Sequence, residues 1–134
     1  MISIEATTLN NGIRVVTERS GSQTANVGVY IGAGSRQDTL ETTGAANMLT
    51  KMLLRGTSST SKAALAEEIE RMGGNITTAV DREMTNVNMT CFKGDLNRAV
   101  SILGDTISNA SLDHAELEIA KQEQQRAHDN SRKD

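Results

Sequence analysis

Three polar side chains, Asn47, Thr50 and Lys51, fall within one turn of a predicted helix. Residues three and four positions apart share one face of an α-helix, so an amide, a hydroxyl and an ammonium group would point toward a common place. The helix is predicted over residues 44–57, "GAANMLTKMLLRGT", from its apolar periodicity. The apolar stripe consists of Ala45, Met48, Leu49, Met52 and Leu53. The three polar residues, on the opposite face, are a site, the remains of one, or a solvated surface.

The other residues that could do chemistry have simpler interpretations. Cys91 is the only cysteine, so it can form neither a disulfide within the chain nor a multi-thiolate zinc site. It falls on the apolar side of a predicted strand, which favours a core role. His114 and His128 lie too far apart in sequence to suggest a pair of ligands. The segment 32–34, "GAG", lacks the downstream Gly and Lys of a phosphate-binding loop and is predicted to be a turn.

Composition excludes two classes of function. The net charge is −3, and Tyr30 and Phe92 are the only aromatic residues. A nucleic-acid platform would need basic and stacking side chains, so no nucleic-acid partner is expected. No apolar run approaches the roughly 20 residues that span a bilayer. The first residues resemble neither a secretory signal nor an Arg-rich transit segment.

The predicted elements follow the order β-β-β-α-α-β-β-α-α. They are a hairpin over 7–18 around Asn10-Asn11-Gly12, a strand over 25–31, helices over 44–57 and 62–72, strands over 75–80 and 85–92, and helices from 96 and from 115. Strands and helices that cluster in pairs favour an α+β fold, in which helices pack on one face of an antiparallel-rich sheet. Thr42 or Thr43 is predicted to cap the helix over 44–57, and Gly56 to end it.

Burial is predicted from the apolar periodicity of three further elements. The expected inward residues are Leu65, Ile69 and Met72; Val87, Met89 and Cys91; and Leu96, Ala99, Val100, Leu103 and Ile107. The last helix becomes wholly polar and has little to pack against. We therefore predict that residues 1–134 form the N-terminal part of a single larger domain.

Several motifs in combination resemble one family. They are "TTLNNGIRVVTE", "ANVGVYIGAGSRQD", "TTGAANMLTKMLLRGT", "LAEEIERMGGNITTAVDREMT" and "GDLNRAVSILGDTISN". Together they resemble the N-terminal domain of the pitrilysin/insulinase metallopeptidases, from about Thr7 to about Arg126. The nearest branch contains the β subunit of the mitochondrial processing peptidase and core protein 1 of respiratory complex III. The resemblance implies a LuxS/MPP-like metallohydrolase fold.

The same resemblance implies a lost zinc site. Active members carry H-x-x-E-H on the corresponding helix, with two zinc-binding histidines and a glutamate base. Here that pentad aligns with Asn47-Met48-Leu49-Thr50-Lys51, and a later glutamate ligand aligns with Ala127 or His128. An ammonium at Lys51 would repel Zn²⁺, and a threonine hydroxyl is no base near neutral pH. The resemblance therefore implies no catalytic residue, no metal and no cofactor.

A role in assembly is what the resemblance then implies. The first hypothesis is that the chain is a non-catalytic core subunit of mitochondrial complex III (ubiquinol–cytochrome c reductase), on the matrix side of the inner membrane. Its partners would be another peptidase-like subunit, other complex III subunits including cytochrome b, and the remainder of its own domain. The alternative is a non-catalytic subunit of a processing peptidase heterodimer, where it would help to form the presequence cavity.

Overall fold

The computed structural model describes residues 1–132, and the order of its strands and helices is the predicted one. The strands are β1 (Ser3–Thr8), β2 (Arg14–Arg19), β3 (Thr24–Ile31), β4 (Asn75–Val80) and β5 (Thr85–Phe92). The helices are α1 (Ala45–Leu53), α2 (Lys62–Arg71), α3 (Leu96–Ser108) and α4 (His114–Ser131). Short 3-10 turns cover Ser35–Gln37 and Lys93–Asp95. The predicted α+β class is confirmed.

The N-terminal hairpin forms a sheet of its own. β1 and β2 pair antiparallel around a turn in which Gly12 has a φ of 88°. The Asn11 side chain stabilises this turn by accepting a hydrogen bond from the Ile13 amide. Both strands are exposed along their whole length, and Ile4 and Val16 are each 68% exposed. The hairpin joins no other strand of the described residues, so these residues form two separate antiparallel sheets.

The main sheet has three antiparallel strands in the order β3-β5-β4. Its central strand turns Val87, Met89 and Cys91 into the core, as the alternation predicted. The opposing side chains come from the helices and from the residue that follows α2: Leu53, Leu65, Ile69, Met72, Ala99, Ile102 and Leu103. Burial raises the pKa of the Cys91 thiol, and the nearby Asp95 carboxylate raises it further by a smaller amount. The thiol is thus a core group, not a nucleophile.

α2 covers Lys62–Arg71, one residue less than the predicted range 62–72. The Ser61 hydroxyl accepts a hydrogen bond from the Ala64 amide and caps the first turn. Gly73, with a φ of 60°, ends the helix, and the Gly74 amide donates back to the Ile69 carbonyl. The predicted inward residues Leu65, Ile69 and Met72 are all buried.

α3 is rotated relative to its predicted stripe. Leu96 and Val100 are 38% and 52% exposed, whereas Ile102 and Thr106 are buried. Leu103 and Ala99 face inward as predicted. The helix lies against both β3 and β5. Close packing against two strands favours a small side chain in the core, and the fully buried Ala99 provides one. The prediction for Leu96 and Val100 is therefore wrong.

The Asp105 carboxylate ties α3 to the turn before α2. It accepts hydrogen bonds from the hydroxyls of Thr57 (2.7 Å) and Ser59 (3.2 Å) and from the Asn109 amide (2.8 Å). These bonds favour the charged form, the one from Thr57 most, and they lower the pKa of Asp105. Its folded-state pKa therefore lies below the unfolded-state value.

Acid should selectively weaken this link. The Asp105 carboxylate stabilises the fold fully above about pH 4, and this contribution is lost as the pH falls through the lowered folded-state pKa. We expect Asp105→Asn to flatten that part of the curve of unfolding free energy against pH. Urea unfolding between pH 2.5 and 7 measures it. Glu41→Gln is the control, because Glu41 is exposed and accepts no side-chain hydrogen bond within residues 1–132. Equal acid profiles for both variants would contradict the expectation.

Candidate functional site

α1 begins differently from the prediction. Its amino terminus is capped by Asp38, whose carboxylate accepts hydrogen bonds from the Gly44 amide (3.0 Å) and the Ala46 amide (3.3 Å). Neither predicted cap does this: Thr42 accepts from the Thr39 amide, and Thr43 donates to the Thr39 carbonyl. The sequence alone does not indicate this cap, because a turn separates Asp38 from the first residue of α1.

α1 also ends earlier than predicted. Its last residue is Leu53, and the amide of Arg55 already donates to the Met52 carbonyl in a tighter turn. Gly56, the predicted end, follows with a φ of 107° and forms an isolated bridge with Ser61. Leaving the helix before Gly56 directs the Arg55 side chain toward α4.

The buried face of α1 does not follow the predicted stripe. Met52 and Leu53 are buried as predicted, but Ala45 is exposed and Leu49 is 46% exposed. Thr50, predicted on the polar face, is instead 4% exposed. Its hydroxyl donates to the Asn47 carbonyl at 2.7 Å, which lets this polar group be buried with its hydrogen bond made. The predicted trio is therefore split, with Thr50 inside and Asn47 and Lys51 outside.

Asn47 and Lys51 line a groove between α1 and α4, which we call the α1–α4 groove. Its volume is about 580 Å³, and Ala127 and His128 line its other wall. The remaining lining residues are Met48, Lys121, Gln124 and Gln125. The fold thus brings Asn47 and Lys51 together with both alternatives for the later ligand position, Ala127 and His128. His114 lies at the first residue of α4, about 21 Å from His128 at 1.5 Å per helical residue.

The α1–α4 groove is rich in hydrogen-bond donors. Lys51 Nζ donates to Gln124 Oε1 at 3.1 Å, and Lys121 Nζ pairs with Glu118 Oε1 at 2.8 Å, one turn back along α4. This contact lowers the pKa of Glu118, mainly through the hydrogen bond and to a smaller extent through the positive charge of Lys121. None of the eight residues that line the groove is acidic. Sequence reasoning missed Lys121 and Gln124, which only the crossing of the two helices identifies.

The residues present do not fit a zinc ion. The ammonium of Lys51 has no lone pair to offer while protonated, and His128 is the one imidazole in the groove. Within residues 1–132, no three His, Cys, Asp or Glu side chains come together in a metal-binding arrangement. The chemistry open to this groove is hydrogen bonding to an acceptor or attraction of an anion.

Arg55 fastens α1 to α4 beside the groove. Its guanidinium, 9% exposed, donates to Glu116 Oε2 at 2.9 Å and also to Glu123. Burial alone would lower the pKa of Arg55, but the two carboxylates outweigh it and raise the pKa. Sequence reasoning missed this pair of contacts, although Glu116 and Glu123 are seven residues apart and share one face of a helix.

No helix in the part of the chain that the structure describes is long and apolar enough to cross a membrane. The sequence model of one family, described as Insulinase (Peptidase family M16), matches residues 14–134.

Two curated relatives are similar to this chain over most of its length. The mitochondrial-processing peptidase subunit beta of Rattus norvegicus is 42% identical over 114 residues, which is 85% of this chain and 23% of the relative. The cytochrome b-c1 complex subunit 1, mitochondrial, of Caenorhabditis elegans is 37% identical over 117 residues, 87% of this chain and 25% of the relative. The chain thus spans about a quarter of the length of these relatives.

A solved structure shares the fold. The crystal structure of a protease from Helicobacter pylori superposes with a TM-score of 0.83 at 21% identity. The match covers 91% of this chain and 30% of that one. At this identity the similarity concerns the fold alone.

Proposed function

Because this chain belongs to the insulinase family of peptidases, family M16, we propose that it is a non-catalytic member that holds partner chains instead of cleaving peptides. One observation carries the proposal. The helix aligned with the zinc-binding motif places a lysine, Lys51, in the groove and buries a threonine, Thr50, beneath it.

The chemistry of zinc hydrolysis supports this proposal. A catalytic zinc needs three protein ligands with free lone pairs, plus a base that activates the bound water. The family resemblance aligns Asn47 and Lys51 with the two histidines of the motif, and the hydroxyl of Thr50 donates to the Asn47 carbonyl. Neither Ala127 nor His128 completes a ligand set. The proposed role therefore depends on surfaces, not on hydrolysis.

We propose that the assembly is mitochondrial complex III, with this chain as a core subunit on the matrix side of the inner membrane. The 37% identity to the cytochrome b-c1 complex subunit 1 of Caenorhabditis elegans supports this choice. Its proposed partners are a second peptidase-like core subunit, cytochrome b and the remainder of its own domain.

A second candidate is a subunit of the mitochondrial processing peptidase. The 42% identity to the beta subunit of Rattus norvegicus favours it. In that role the chain would help to form the cavity for presequences, and a partner chain would carry the intact H-x-x-E-H motif.

Native separation of gently solubilised mitochondria, followed by mass spectrometry, tests the two candidates. Comigration with cytochrome b supports the complex III role. Comigration with a smaller soluble assembly that contains an intact H-x-x-E-H chain supports the processing peptidase instead. Stoichiometric zinc in the purified chain, together with peptide cleavage that is lost in Lys51→Ala, would overturn the non-catalytic proposal in both forms.

A further inference from the structure

We propose that the α1–α4 groove binds an acidic peptide segment of a partner chain, with a carboxylate held by Lys51. The family resemblance places a zinc site at this groove in active members, and we assign a site for an anion to the same groove in this chain. It goes beyond the assembly role proposed above and applies whichever assembly contains the chain.

The hydrogen bonds of Lys51 support this proposal. Its ammonium is exposed in the groove, and its partner there is the neutral Gln124 side chain at 3.1 Å. Among residues 1–132, the other cationic side chains that reach from one helix region to another have carboxylate partners: Arg55 has Glu116 and Glu123, Arg98 has Glu68, and Lys62 has Glu116 at 4.0 Å. Within residues 1–132, Lys51 Nζ has no carboxylate within 4.0 Å, the limit for an ion pair. A lysine bound only to a neutral amide retains most of its capacity to bind an anion.

The rest of the groove offers donors around Lys51. Asn47 lies one turn earlier on α1, and Gln124, Gln125, His128 and Lys121 line the α4 side. An amide can turn its NH₂ group toward a carboxylate, and charge-assisted hydrogen bonds are about twice as strong as neutral ones. Two acidic groups on α4 flank the groove: Glu118 pairs with Lys121, whereas among the described residues Asp129 accepts only from the neutral Gln125 amide and retains its negative charge, more than 4.0 Å from Lys51 Nζ.

The shape of the groove favours a peptide over a single small ion. A volume of about 580 Å³ holds several side chains, and Met48 and Ala127 provide apolar lining between the polar groups. The charge of the groove also selects among peptides. Mitochondrial transit peptides are rich in arginine and poor in acidic residues. Such a segment would meet the ammonium of Lys51 with like charge, whereas an acidic segment would meet opposite charge.

A labelled peptide tests the proposal on the purified chain. The probe is fluorescein-labelled hexaglutamate with an amidated carboxyl terminus, and binding is measured by fluorescence anisotropy at low salt. We expect saturable binding that weakens as the salt concentration rises, because screening reduces attraction between exposed charges. Lys51→Gln should weaken binding about tenfold or more, as expected for the loss of a hydrogen bond between charged groups.

Two matched controls are used. One removes a lysine charge outside the groove, and the other removes the negative charges of the peptide probe. Lys93→Gln changes an exposed lysine after β5, outside the groove, and should leave the affinity within about twofold. Hexaglutamine should not bind. If Lys51→Gln fails to fold, Lys51→Met, which keeps an unbranched side chain and removes the same charge, carries the same expectation. Equal losses in the Lys51 and Lys93 variants, equal binding of hexaglutamine, or no binding of hexaglutamate would each overturn the proposal. None of these results bears on which mitochondrial complex contains the chain.

Discussion

Replacing Thr50 by Glu is expected to lower the free energy of unfolding by roughly 3–5 kcal/mol at neutral pH, the usual cost of an unpaired buried charge. Thr50 is 4% exposed, and its hydroxyl fits only because it bonds within its own helix. A glutamate would bring a larger side chain and a negative charge into the same space. Equilibrium unfolding in urea at pH 7.5 measures the change.

The same variant should behave distinctively with pH. Burial would raise the pKa of the new carboxyl group above its unfolded-state value, so protonation relieves the penalty as the pH falls. The stability difference between Thr50→Glu and the parent should therefore be smaller at pH 5 than at pH 8. A difference that does not change with pH would contradict a buried charge.

The controls are the other two positions of the aligned motif. Asn47→His and Lys51→His change exposed side chains of the groove, and each should alter stability by no more than about 0.5 kcal/mol. If Thr50→Glu were as mild as these, Thr50 would not be buried. The expected contrast means that α1 tolerates a histidine at positions 47 and 51 far better than a glutamate at position 50, because only Thr50 is buried.

Alternation and capping predicted the sheet and α2 from local sequence. Val87, Met89 and Cys91 face the core because a central strand has two neighbours and one covered face, which makes a period of two decisive. Ser61 caps the start of α2 and Gly73 follows its end, as their residue types favour, because each acts within its own turn. Local rules suffice where the partner of a residue lies a few positions away.

The rotations of α1 and α3 could not be predicted in the same way. Each helix offers more apolar residues than one face can bury, and the packing partner decides which of them are covered. α3 buries Thr106 and exposes Val100, and α1 buries Thr50 and exposes Leu49. A buried threonine looks polar in the sequence: the Thr50 hydroxyl bonds to a carbonyl of its own helix, whereas the Thr106 hydroxyl is buried with no hydrogen-bond partner among the described residues.

Only some residues of the candidate site were predictable, because the others enter it through the packing of two helices. The family resemblance supplied Asn47, Lys51 and the later position at Ala127 or His128, and the fold brings all of these into one groove. It could not supply Lys121 or Gln124, because these enter the groove through the crossing of α1 and α4. The contact that fixes this crossing, at Arg55, was missed for the same reason.

Removing that contact with Arg55→Ala is expected to cost roughly 2–3 kcal/mol of unfolding free energy. The estimate is lower than the 3–5 kcal/mol typical of a broken buried ion pair, because Glu116 and Glu123 are 28% and 56% exposed and regain water. Arg55 itself is 9% exposed, so the change also removes packed side-chain surface. Urea unfolding measures the cost.

The position of the loss distinguishes this role from a general effect on stability. Because Arg55 joins the end of α1 to α4, hydrogen exchange in Arg55→Ala should accelerate along His114–Ser131 more than in the central strand β5. Arg71→Ala is the control: its ion pair with Glu67 is exposed on one helix and should be worth only about 0.3–0.5 kcal/mol. Uniform acceleration across α4 and β5, or equal costs for the two arginine variants, would show that Arg55 does not hold the two walls of the α1–α4 groove together.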